Sequence, residues 1–164
     1  MDNQEFNADD FDVITGKIID SEPAKECKIL KALQRRIIKR FMKTMEKAQD
    51  FVMDDDKIEP FLLNVERKLK SIPKVGKSLA YIPQLTLLVR SYAKGEYREL
   101  SKTQIVAIIA ALLYFVNPFD VIPDFIKGVG ILDDVLVAAA ITRWCEDDIK
   151  KYMNWLKDKR QKWY

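Results

Sequence analysis

Histidine is absent from this 164-residue chain. That absence excludes Ser-His and Cys-His nucleophile pairs, imidazole acid–base chemistry and most zinc sites, all of which need a ring nitrogen that ligates metal or titrates near neutrality. Glycine is scarce, with five residues in all, and none forms the glycine-rich loop that cradles phosphates. The two cysteines, Cys27 and Cys145, lie far apart without metal-ligand spacing, so reduced thiols in a cytosolic compartment are expected. Cys27 sits among cations that would favour a thiolate, yet a lone cysteine at a helical position reads first as structural. No stretch alternates apolar and polar residues with a period of two, so no strand is expected. The first residues are acidic and lack the basic-then-apolar order of a secretory signal, which fits a cytoplasmic protein.

What remains is helical periodicity. The length suffices for one ordinary core without disulfide or metal support, and the expected architecture is an all-α single-domain bundle of five or six helices. Residues 1–20 read as an acidic amino-terminal arm, with five carboxylates and no Lys or Arg between Met1 and Asp12; residues 21–164 read as the helical domain. Ser21-Glu22-Pro23 starts a helix expected to reach Val52. Its apolar face is Leu30, Leu33, Ile37, Phe41, Met45, Ala48 and Val52. Outside that face, Lys31, Arg35, Lys39, Lys43 and Lys47 repeat every fourth residue as a basic ladder.

Three acidic residues, Asp54 to Asp56, separate this helix from one expected over 57–71. Another is expected over 79–94, bent or divided at Pro83 and capped by Gly95. Ser101 and Gln104 have capping-box spacing just ahead of Ile105 to Val116, twelve uninterrupted apolar residues that suit a helix buried on most sides. A last helix is expected from Asp133 past Trp155.

Between these two apolar helices lies a knuckle rich in Pro, Gly and Asp. Asn117-Pro118 stops the first helix, with Asn117 placed to cap a new turn and Asp120 three residues on. Pro123 interrupts again, and Gly128 and Gly130 permit a reversal. Asp133 then reads as an N-cap, with Asp134 in the first turn and Leu132 and Val137 placed as a hydrophobic staple.

The residues Pro118, Asp120, Pro123, Asp124, Gly130, Asp133 and Asp134, within a motif region at about 101–144, resemble the YkvA-like family, a bacterial domain of unknown function. Asn117 departs from the small hydroxyl residue expected there, a mild change because both types cap helices. The resemblance implies no established activity. It does imply membrane association, as described for many relatives.

Two features invite a functional reading. Asp120, Asp124, Asp133 and Asp134 could converge as hard oxygen ligands for Mg2+, Mn2+ or Ca2+, or for a small polar ligand. Helix capping and turn structure are the preferred reading and by themselves explain Asp120 and Asp133, Asp124 and Asp134 less fully, and no cofactor is required. The basic ladder is the second feature. Residues 25–50 hold nine Lys or Arg against three Asp or Glu, whereas the whole chain has a net charge of only +3. Such a face attracts an anionic membrane surface or an acidic protein partner; it also suits plain solvation. Nucleic acid ranks lower, since the face lacks interleaved aromatics and helix-turn-helix spacing.

The apolar run from Ile105 to Val116 would be about 18 Å long as a helix, short of the roughly 30 Å hydrocarbon core. Extending it further brings in Asn117, Pro118, Asp120 and Asp124, which are expensive in lipid. A core helix is therefore expected, in a non-catalytic binding module that is cytoplasmic and peripheral to the membrane or partly inserted in it. The metal or polar-ligand site is the alternative.

Overall fold

A computed structural model describes residues 28–52, 54–71, 80–116, 137 and 139–161. The protein is all-α, and no strand occurs among the described residues. In chain order the helices are α1 (Lys28–Val52), α2 (Asp55–Ser71), α3 (Ile82–Ala93), α4 (Lys102–Val116), a helical stretch α5 over 139–144, and α6 (Glu146–Gln161).

α1 ends where the three aspartates begin. The Asp54 N–H donates to the Phe51 carbonyl at 3.2 Å, and the Asp54 carbonyl accepts from the Lys57 N–H at 3.1 Å. One residue thus closes α1 and opens α2. Lys57 also pairs with the Asp54 carboxylate at 2.5 Å, which holds that carboxyl below the usual range. Pro60 stands inside α2, at its sixth residue and on its exposed side, where the carbonyl it leaves unbonded can meet water.

Pro83 does not bend or divide α3, as its position within the expected 79–94 helix suggested. It stands at the second residue of α3, where a missing N–H costs nothing, and the first helical bond runs from the Leu85 N–H to the Tyr81 carbonyl at 3.0 Å. The other end of α3 matches expectation. Gly95, at φ +70°, donates to the Tyr92 carbonyl at 3.0 Å, and the Glu96 N–H donates to the Ser91 carbonyl at 2.9 Å, which together form a Schellman motif.

α4 starts on the predicted capping box. The Ser101 N–H donates to Gln104 Oε1 at 2.8 Å, and the Gln104 N–H donates to Ser101 Oγ at 3.2 Å. From Ile105 to Leu112 every residue is buried, as are Tyr114 and Phe115. A helix with no polar face must be covered on all sides. α1 packs along it most extensively, and α3 and α2 cover further sides. At the far end Lys68 of α2 donates to the Phe115 carbonyl, one of the last four carbonyls of α4, and its ammonium stands 4.9 Å from the centre of the Phe115 ring.

Two polar clusters fix the outer helices. Arg90 of α3 reaches Glu59 at 3.1 Å and Glu66 at 3.0 Å, so one guanidinium ties α3 to both turns of α2 that face it. Tyr152 of α6 is wholly buried, and its hydroxyl donates to the Leu87 carbonyl at 3.1 Å while bonding Ser91 Oγ at 2.9 Å. Its ring meets Tyr97 edge-on at 5.1 Å and stacks on Trp155 at 5.8 Å.

The last helix is not continuous from Asp133 past Trp155. Residues 133–136 lie outside the described residues, and Cys145 stands as a turn between α5 and α6. Helical bonds pass on both sides of it, from the Cys145 N–H to the Ile141 carbonyl and from the Ile149 N–H to the Cys145 carbonyl, each at 2.9 Å. The sequence signal for the restart is the run Glu146, Asp147 and Asp148, three carboxylates in the first turn of α6, where the helix dipole favours negative charge.

Candidate functional site

The basic face of α1 is set by the burial of its opposite face. Ile37, Ile38, Phe41, Met45 and Ala48 are buried, and Val52 is half-buried; Leu30 and Leu33 have side chains outside the described residues. Phe41 meets Tyr114 of α4 with ring centres 6.4 Å apart. Truncating a side chain such as Phe41 to Ala would cost about 3–5 kcal/mol, enough to hold the rotational setting of α1 against any rearrangement of its surface charges.

That setting turns Arg35, Lys39, Lys43 and Lys47 outward, and all four are exposed. Lys31 is part of α1, and its side chain lies outside the described residues. Neighbours in the ladder are one helical turn apart, about 6 Å along the axis, so their fields overlap within a Debye length of roughly 8 Å. Among the described residues, none of these four cations forms an ion pair or a hydrogen bond.

Two further arginines modify the site. Arg36 is exposed beside the ladder and extends it sideways; it was in plain view in the sequence but falls off the every-fourth-residue stripe. Arg40 goes the other way. It is half-buried, and its guanidinium lies 5.8 Å from the centre of the Tyr114 ring, where it packs α1 on α4 instead of facing solvent. Glu46 and Asp50 are the acidic residues of α1, both exposed towards its carboxyl end, so the positive field is strongest over the first two thirds of the helix.

The second set of predicted residues cannot be placed in the same way. Asn117, Pro118, Asp120, Pro123, Asp124, Gly130, Asp133 and Asp134 all lie outside the described residues. Among the described residues no group of three or more Cys, Asp or Glu is arranged to hold a metal ion.

A groove of about 770 Å3 runs along α5 and α6 beside the start of α3, lined by Tyr81, Thr142, Arg143, Lys150, Met153 and Lys157 among others. It was not anticipated, because it depends on how α6 approaches α3. Cys145, inside the same helical pair, is fully buried, and burial pushes its thiol pKa up, with the Asp148 charge adding to the effect. A protonated buried thiol has no nucleophilic role.

No helix among the described residues is long and apolar enough to cross a membrane. α4, the most apolar, has 15 residues, about 22 Å of helix against a hydrocarbon core of roughly 30 Å.

A family model described as "Protein of unknown function (DUF1232)" matches residues 104–140, from the first turn of α4 across the Pro-, Gly- and Asp-rich sequence into α5. Uncharacterized membrane protein YkvA of Bacillus subtilis (strain 168) is 30% identical over 79 residues, which cover 48% of this chain and 74% of the relative. No solved structure matches the chain. The Pro, Gly and Asp spacing after α4, the family match over that stretch and the relative's coverage agree, and the chain belongs to the YkvA-like family of proteins of unknown function (DUF1232).

Proposed function

We propose that this protein is a non-catalytic helical module that associates with anionic membrane surfaces through the basic face of α1. The observation that carries this reading is the set of exposed cations Arg35, Lys39, Lys43 and Lys47, none of which has an ion-pairing partner among the described residues. Each Lys or Arg that approaches an anionic bilayer contributes about 1 kcal/mol, so four give about 4 kcal/mol before ordering costs. That suits reversible, salt-sensitive attachment. The Bacillus subtilis relative carries the name of a membrane protein, and association at the surface reconciles that name with the lack of a spanning helix among the described residues.

Co-sedimentation with vesicles tests the reading. With phosphatidylglycerol or phosphatidylserine present, the protein sediments at low salt and releases steeply as salt rises; with phosphatidylcholine alone it stays in solution. The triple change Arg35→Glu, Lys39→Glu and Lys43→Glu abolishes binding without lowering the melting temperature, because these side chains are exposed. Binding that ignores both salt and these substitutions would instead indicate apolar insertion. Absence of binding at every salt concentration would transfer the basic face to an acidic protein partner.

A further inference from the structure

The ladder is one half of a charge imbalance within the chain. α1 carries eight Lys or Arg against two Asp or Glu, a net of +6. Residues 1–27, which lead directly into it, carry eight Asp or Glu against two Lys or Arg, a net of −6. The opposite charges are equal in number and covalently adjacent, and Arg35, Lys39, Lys43 and Lys47 form no ion pair among the described residues. We propose that the acidic amino-terminal segment is an intramolecular occupant of the basic face of α1, competing there with anionic lipid headgroups. The inference rests on the membrane-surface reading for its consequence, though not for the docking itself.

Reach and local concentration both favour this occupant. α1 is about 37 Å long, and the 15 residues between Asp12 and Lys28 span at most about 50 Å, so the carboxylates of Asp2, Glu5, Asp9, Asp10 and Asp12 are within reach of the ladder. A tether of this kind presents its charges at millimolar effective concentration, which free acidic peptides in solution do not match. Exposed pairs are individually weak, and their sum is sensitive to salt and readily displaced by a dense anionic surface. The segment therefore sets a threshold. Sparse anionic lipid fails to displace it, and a bilayer rich in anionic lipid succeeds.

The test uses the full chain with Asp2→Asn, Glu5→Gln, Asp9→Asn, Asp10→Asn and Asp12→Asn combined. Vesicles of 10% phosphatidylglycerol in phosphatidylcholine bind this variant about tenfold more tightly than the native chain at equal salt. The gain disappears when Arg35→Glu, Lys39→Glu and Lys43→Glu are added. Equal binding of native and neutralised chains overturns the proposal, as does a gain that survives loss of the ladder, since the segment would then act through net charge alone. If neither chain binds vesicles, the membrane reading fails, and docking is judged by a second measurement. Zero-length carbodiimide coupling of the native chain, read by mass spectrometry, joins carboxylates of residues 2–12 to Lys39 or Lys43 at low salt and ceases at high salt. Absence of those links at low salt overturns the docking.

Discussion

Ser101 and Gln104 exchange hydrogen bonds across the first turn of α4, and Gln104 then uses its side-chain amide to donate to the carboxylate of Asp148 on α6. A local cap is thereby joined to a tertiary contact. Ser101→Ala removes one capping bond and lowers stability by about 1 kcal/mol in denaturant titrations. Gln104→Glu preserves the capping box in sequence terms, yet places a carboxylate against Asp148. It costs about 1 kcal/mol at pH 7. The repulsion requires both groups to be ionised, so the deficit shrinks once the pH falls well below the ordinary carboxylate range. A deficit of equal size at pH 3 and pH 7 would mean that the Asp148 contact is energetically silent.

Gly95 offers a cleaner backbone test. A Cβ added there meets nothing nearer than Arg98 Nη2 at 3.7 Å, so steric contact contributes little and the φ of +70° contributes nearly everything. Gly95→Ala should cost about 1 kcal/mol, and Gly95→Asn distinctly less, because Asn enters the left-handed region more readily. Equal costs for the two variants would point away from the backbone conformation.

Cys145 should be chemically silent in the folded state. In a Cys27→Ser background, Ellman's reagent at pH 8 reacts with the remaining thiol only as fast as the protein opens, and adding denaturant beyond the unfolding midpoint makes the reaction immediate. Burial raises the thiol pKa, so the folded protein keeps the proton as pH climbs past the unfolded value of about 8.5. Stability attached to that proton is present below this value and declines above it. Rapid labelling under native conditions would place the thiol at the surface.

The four aspartates of the Pro-, Gly- and Asp-rich sequence yield a prediction about divalent cations. If Asp120, Asp124, Asp133 and Asp134 serve as caps and turn residues, millimolar Mg2+, Mn2+ or Ca2+ leaves the melting temperature unchanged, because only a ligand that prefers the folded state raises it. A saturable rise that Asp124→Asn or Asp134→Asn abolishes would establish the metal site instead.

Much of the helical outline was legible because it rests on neighbours within four residues. Fourfold spacing exposed the ladder of α1 and separated it from Ile37, Phe41, Met45 and Ala48; the Ser101 and Gln104 pair and Gly95 marked helix ends through bonds that span a single turn. The unbroken apolar run of α4 showed that it had to be enclosed on every side. Pro83 was misread because the same residue is tolerated at a helix start and disruptive within one, and the sequence does not say where the first turn falls.

The composition and periodicity of the chain were sufficient to make it an all-α protein with one basic helix face, since those properties follow from local hydrogen bonding and the spacing of apolar side chains. Tertiary packing decided which charges that face would keep. Arg40 is withdrawn onto Tyr114, 74 residues away in sequence, while Arg35, Lys39, Lys43 and Lys47 remain in solvent. Lys68 is likewise committed to the end of α4, Arg90 to Glu59 and Glu66, and Tyr152 to Leu87 and Ser91. Such pairings join helices distant in sequence, and they exist only once burial of α4 has brought those helices together.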